Sequence, residues 1–407
     1  MSNHPYRPKS TINTINTTNK HQIQFNTPSG AVFSYFIEDH PNQIDTATGN
    51  SSLSFRLEQR IAYQLSDATD YFGNWVAIQF PWMIIGAPYT DFRGRPEAGA
   101  AHCFKYNNAT SSWEYFQFVY DPQDLAADYF GYTTAIYNDS IFVGASQADN
   151  NGITAQGVVV WYKYDAGSMS WVKLHRILAS DGAAYDGFGY ALEMQDDYMF
   201  VGAYTADMNA DSVDSGAAYV FHYNGSDWNQ YLKLYPNDFS AGGNFGSSIV
   251  VSGNLLVIGA PGTNINSTNG TLMQAVGAAY VFEHTGGTWV QRAKLVAPDG
   301  AEDDNFGTAV AFSGNIIAVS ALYAEYEGLT NVGAVYVYEQ GVNNSVWTLK
   351  RRINPPDPVS ENRFGASLIM QNDALIIGSI RSAVEGHRNG AVYVFRECLV
   401  STTLKGF

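Results

Sequence analysis

The chain has 407 residues, 45% of them hydrophobic and 14% aromatic, and its 22 Lys and Arg against 38 Asp and Glu give a formal charge of −16. That balance argues against nucleic acid and anionic membrane surfaces as partners, since both attract cationic patches. No stretch has the apolar length of a membrane span, and two cysteines far apart, Cys103 and Cys398, exclude a disulfide-built scaffold.

Residues 1–29 are rich in Asn and Thr and lack the positively charged start and apolar core of a signal peptide. Residues 1–25 read as an irregular arm and 26–407 as a single domain. Asn-x-Ser/Thr sequons recur, for example at Asn50, Asn108, Asn224 and Asn343, and they point the opposite way, to an extracellular or surface protein. Gly30 to Phe36 reads as a short, largely apolar strand, and Leu57 to Tyr63 can serve as a fourth strand after it.

From residue 70 the chain repeats itself. The word Asp-x-Phe-Gly occurs at Asp70, Phe72 and Gly73, at Asp128, Phe130 and Gly131, at Asp186, Phe188 and Gly189, and at Asp304, Phe306 and Gly307. A weaker form stands at Phe245 and Gly246 and at Phe364 and Gly365, and successive Phe residues are 57 to 61 apart. Periodicity on this scale marks a repeat architecture. Each unit reads as four strands, as in Phe245 to Val251, Leu255 to Ala260, Gly277 to Phe282, and Trp289 to Leu295. Gly, Asn and Asp at the turns are hairpin signals. The second and third strands are apolar on both faces, so each sheet should be covered on both sides. Four-stranded antiparallel units packed face to face around an axis meet that need: an all-β propeller. The Phe is expected as a blade-to-blade wedge, with the Gly beside it allowing close backbone approach. Gly30 to Phe36 repeats the third-strand word, and Ser401 to Lys405 echoes a fourth strand, so seven blades rather than six are expected.

These words, with Gly86-Ala87-Pro88, Gly259-Ala260-Pro261 and the Gly-Ala-x-Tyr-Val-Phe third strand, resemble the FG-GAP repeat, the blade of the integrin α-subunit propeller and of many microbial relatives. Asp181 to Gly189 is similar to the microbial form, Asp-Gly-Ala-x-x-Asp-x-Phe-Gly. The integrin version carries a calcium loop between strands one and two. Here that connection is a short turn, such as Ser252-Gly253-Asn254, without the carboxylate spacing Ca²⁺ needs. No cofactor is therefore expected, and the resemblance does not bring calcium with it.

Antiparallel alternation puts the loops between strands two and three on the face where each strand one begins. Those loops differ from blade to blade, and variable loops over a rigid scaffold are where binding sits; the resemblance implies the same face. Tyr89, Asp91, Phe92, Arg93 and Arg95 gather in one loop, Tyr323 and Tyr326 in another, and Arg381, His387 and Arg388 in a third. Asp207, Asn209, Asp211 and Asp214 form the one carboxylate spacing that resembles a metal loop, without its turn glycine. The Asp of each Asp-x-Phe-Gly word, together with Asp181 and Asp299, is expected to cap backbone N–H groups.

No Gly-x-Ser-x-Gly, His-Glu-x-x-His or phosphate-cradling loop occurs. The expectation is a monomeric, non-enzymatic binding or adhesion module for a protein or glycan. The alternatives are a lectin, which would repeat one pocket in several blades, and a hydrolase with its site in the central channel. The small, apolar strand Thr308 to Ala311 speaks against the latter.

Overall fold

The structure, a computed structural model, describes residues 70–396 apart from positions 93, 124, 268, 342–345, 372–373, 385–386 and 389. It also describes Gln59, Ile61 and the backbone of 20–26 and 32–38. Five four-stranded antiparallel sheets and one three-stranded sheet follow one another. Blade 1 is built from Val76–Gln79, Trp82–Ala87, Ala100–Asn107 and Ser112–Val119. Blade 2 comprises Thr133–Tyr137, Ser140–Ala145, Val158–Asp165 and Ser170–Ile177. Blade 3 comprises Phe188–Gln195, Tyr198–Ala203, Ala217–Tyr223 and Trp228–Leu234. Blade 4 comprises Ser248–Ser252, Leu255–Ala260, Ala278–Thr285 and Thr288–Leu295. Blade 5 comprises Phe306–Ser313, Ile316–Ala321, Ala334–Gln340 and Trp347–Ile353. Blade 6 holds Phe364–Gln371, Ala374–Ser379 and Ala391–Arg396. Each first strand touches the first strand of the next blade, so these strands line the axis. Among the described residues no helix is long and apolar enough to cross a membrane.

The expected seventh blade is not formed: six blades stand among the described residues. Among the described residues Val32–Glu38, from the third-strand word at Gly30, pairs only with Lys20–Asn26, in a separate two-stranded sheet. Leu57 to Tyr63, apart from Gln59 and Ile61, and Ser401 to Lys405 lie outside the described residues, as do the arm before Lys20 and Cys398. The physical reason lies in the repeat words. Nothing before Phe72 supplies a Phe-Gly wedge, and the wedge is what locks one blade onto the next.

The lock is visible at each internal junction. Phe130, Phe188, Phe245, Phe306 and Phe364 are fully buried. Phe188 packs edge-on against Tyr219 and Phe221, at 5.5 and 5.8 Å, within a core shared with Phe142 and Trp161 of blade 2. Its backbone bridges Gly157, the residue before strand three of blade 2, and the same bridge recurs from Gly99 to Phe130, Gly216 to Phe245 and Gly277 to Phe306. A glycine requirement also holds one residue on. A Cβ on Gly202 would sit 2.0 Å from the carbonyl oxygen of Gly246 in the next blade, so the Phe-Gly and Gly-Ala words are two sides of one backbone contact. The Trp that opens strand four closes the outer edge, as Trp228 does on Phe142 at 5.4 Å and Trp289 on Phe200 at 5.5 Å.

The repeated aspartates cap as expected: Asp186 and Asp304 accept from the N–H of Ala183 and Ala301 at 2.8 Å, and Asp128 from that of Leu125. Asp181 and Asp299 do something else. Asp181 takes Lys233 at 2.7 Å, while Asp299 takes Arg352 and the Tyr336 hydroxyl. The cations lie over Tyr219 and Tyr336 at 5.2 and 5.6 Å. Each link is thereby clamped to the fourth strand of the blade it leads into.

Candidate functional site

In blades 1, 3, 5 and 6 the start of the loop between strands two and three returns to the link that leads into its own blade. Tyr89 N–H donates to Asp70 O, Tyr323 N–H to Asp304 O, Arg381 N–H to Asn362 O, and the Thr205 hydroxyl to Tyr185 O. Loops and links therefore share one face, as the alternation of strands requires. The opposite turns are tight, with positive φ at Asn138, Asp196, Gly253 and Gly314, a hairpin geometry that leaves little side-chain surface.

Those sequence-predicted residues whose side chains are described do not come together as one site. Phe92 packs against Phe118 and Tyr120 at 5.7 and 4.4 Å and is half-buried, while Arg95 is exposed and Arg93 lies outside the described residues. Tyr323 is half-buried under the Arg363 guanidinium at 5.3 Å. Tyr326 borders a separate cleft with Arg351, Pro355 and Phe395. Arg381 reaches Glu361 at 3.9 Å. His387 and Arg388 pair by their backbones with Val384 and Ala383, and their side chains are outside the described residues.

The aspartates of these loops are used within the loops. Asp91 accepts from Glu97 N–H, Asp149 from Ala155 N–H and Asp207 from Asp214 N–H, at 2.8 to 2.9 Å. Asn209 Oδ1 accepts from Asp211 N–H and the Ser212 hydroxyl. Oxygens turned onto backbone N–H groups close a loop rather than a coordination shell. Among the described residues no group of three His, Cys, Asp or Glu is placed to hold a metal ion.

What the face does gather is tyrosine. Tyr71, Tyr89 and Tyr129 form a row of tilted rings, with centroids 4.8 and 4.9 Å apart. Tyr132, Tyr190 and Tyr204 form a second row at 4.9 and 4.1 Å. Tyr132 N–H donates to Tyr129 O at 3.1 Å, which joins the rows into one floor spread over blades 1 to 3. Burial pushes the hydroxyls of Tyr89, Tyr129, Tyr132 and Tyr204 above the usual phenol range, and neighbouring acids and phenols add to it, Glu97 at Tyr89 and Tyr129 and Asp214 at Tyr204. All stay protonated at neutral pH, offering ring faces together with hydroxyl donors.

Of these six, only Tyr89 was singled out from the sequence. The others hide inside the repeat words: Tyr71 and Tyr129 are the x of Asp-x-Phe-Gly, Tyr132 and Tyr190 follow Phe-Gly, and Tyr204 follows Gly-Ala. The signal was there in how those positions vary. In blades 4 and 5 the same x is Asn244 and Asn305, whose amides donate to Tyr204 O and Pro261 O. Tyrosine at a position where asparagine does the structural work is surplus to the fold.

On the axis, the half-buried Glu193 of blade 3 has its carboxyl pushed up to about 8 by burial. It makes no hydrogen bond or ion pair among the described residues.

A family model for the FG-GAP repeat matches residues 58–104, 171–221, 228–282, 289–338 and 347–395. Two solved structures are similar in fold. One is a proposed 6-phosphogluconolactonase from Bacteroides uniformis, 10% identical with a TM-score of 0.54, covering 92% of this chain and 90% of its own. The other is a protein from Lactobacillus plantarum, 11% identical with a TM-score of 0.51, covering 94% and 93%. At such identities the likeness is one of fold alone. No curated protein matches the chain by sequence.

Proposed function

The chain belongs to the FG-GAP repeat family, and from that premise we propose that it is a non-enzymatic binding module, of the microbial type spelled by Asp181 to Gly189, that takes a protein or glycan on the loop face of blades 1 to 3. One observation carries the reading: six tyrosines from three blades converge on that face while the opposite turns offer little to grip. Tyrosine brings large contact area and a polar tip at low entropic cost, which suits it to binding. A lectin of repeated pockets fits less well, because the floor is confined to one half of the ring. A channel hydrolase is disfavoured, because among the described residues Glu193 makes no hydrogen bond or ion pair with a second carboxylate or a base to share its chemistry. The likeness to a proposed lactonase adds no weight to it.

The test is a glycan and peptide array probed with the intact protein and with a Tyr89→Ala, Tyr190→Ala double variant. The binding reading expects hits that the double variant loses while its melting temperature holds. Hits that survive the double variant would move the site off this floor.

A further inference from the structure

We propose that the tyrosine floor recognises a cationic side chain, Lys or Arg, on a basic peptide segment of a partner; this rests on the floor being the binding site. The first support is internal to the molecule. Among the described residues, cations stand over aromatic faces at similar range: Lys105 over Trp82, Lys233 over Tyr219, Lys294 over Tyr280, Arg352 over Tyr336 and Arg363 over Tyr323, all at 5.0 to 5.6 Å. Among the described residues none of the six floor tyrosines carries such a cation. Lys233, Lys294 and Arg352 are bound instead to link carboxylates.

The second support is charge complementarity. Glu97 and Asp214 stand close enough to influence Tyr89, Tyr129 and Tyr204, and the whole chain carries −16. Rings whose faces are electron-rich, rimmed by carboxylates on an acidic protein, attract a cation at both short and long range. A neutral sugar would gain from the rings but not from the rim. A single cation–ring contact is modest, so affinity is expected from a segment with several basic residues, of which one or two seat on the floor.

The experiment titrates the intact protein with a fluorescent peptide of alternating Lys, Arg and Gly, and with its isosteric neutral version carrying norleucine and citrulline. Binding of the basic peptide is expected to weaken about tenfold in Tyr190→Leu, which keeps bulk but removes the ring, and to be retained in Tyr190→Phe. Melting temperatures of both variants serve as controls for folding. The neutral peptide should bind at least about tenfold more weakly than the basic one. Equal binding of the neutral peptide, or no binding of the basic one at millimolar concentration, overturns the proposal. If a neutral oligosaccharide binds instead and Tyr190→Leu abolishes it, the cation reading falls while the floor stands as the site. If the basic peptide binds and neither Tyr190→Leu nor Tyr89→Leu affects it, the floor itself is wrong.

Discussion

Phe188 and Phe72 are the same word of the repeat, yet Phe188 is fully buried and Phe72 only half-buried. The same contrast runs through the strands around them. The second strand of blade 3 is buried along nearly its whole length, whereas the third strand of blade 6 alternates, leaving Val392 at 70% and Val394 at 44% exposure. In blade 1, Val76 and Ile78 are likewise exposed. Each interior blade has a described neighbour on both faces and each terminal blade on one. A sheet in this architecture thus receives its second hydrophobic face from the neighbour, and sequence words that look equivalent differ in energetic weight according to place. Gly202 and Gly378 make the same point in backbone. A Cβ on the first would strike the next blade, whereas on the second it meets only Ser367 of its own strand pair.

Cavity formation gives the sharpest test of that comparison. Phe188→Ala should cost about 3–5 kcal/mol and Phe72→Ala about half of that or less, read as the difference in chemical denaturation midpoints. Equal losses would mean that Phe72 is as enclosed as the interior wedges.

The interface between blades 3 and 4 offers a pH test. Glu193 lies on the face of its strand opposite Leu192, which joins the core shared with blade 2. Burial raises its carboxyl from the ordinary 4.5 to about 8. The folded protein therefore holds a proton that the unfolded chain releases, so stability is fully present below about pH 4.5 and declines as pH rises towards 8. Glu193→Gln should flatten that decline and melt higher than the parent at pH 8. Ile369 holds the equivalent register in blade 6, where it is 58% exposed. Ile369→Glu should change stability by no more than about 0.5 kcal/mol and leave the pH profile unaltered. Parallel profiles for Glu193→Gln and the parent would place that carboxyl in water.

The clamps should give the smallest effect. Lys233→Met removes a half-exposed ion pair with Asp181 and the cation over Tyr219, about 0.5–1 kcal/mol together, and the loss should shrink in high salt. In blade 6 the link carboxylate of Asp357 meets the Tyr393 hydroxyl at 2.6 Å, and among the described residues no cation. Asp357→Asn should therefore show no such salt dependence.

The sequence by itself determined the blade. Strand content, hairpin turns, wedge, close-approach glycines and the face carrying the variable loops all follow from local words repeated at a constant interval, because each word acts on its own blade or the next. It did not determine the ring or the site. The number of blades depends on which near-copies of the words acquire a packed neighbour, and Val32–Glu38 carries a third-strand word without joining a four-stranded sheet. The tyrosine floor was equally out of reach. Tyr71, Tyr132 and Tyr204 are far apart in the chain and individually indistinguishable from core aromatics. They become one surface only when three blades turn the same end of their strands to the same side of the axis. Asp181 and Asp299, read from local habit as caps, were claimed instead by Lys233 and Arg352 from more than 50 residues along the chain, because an ion pair with a neighbouring strand outcompetes a local turn once packing has brought the cation there.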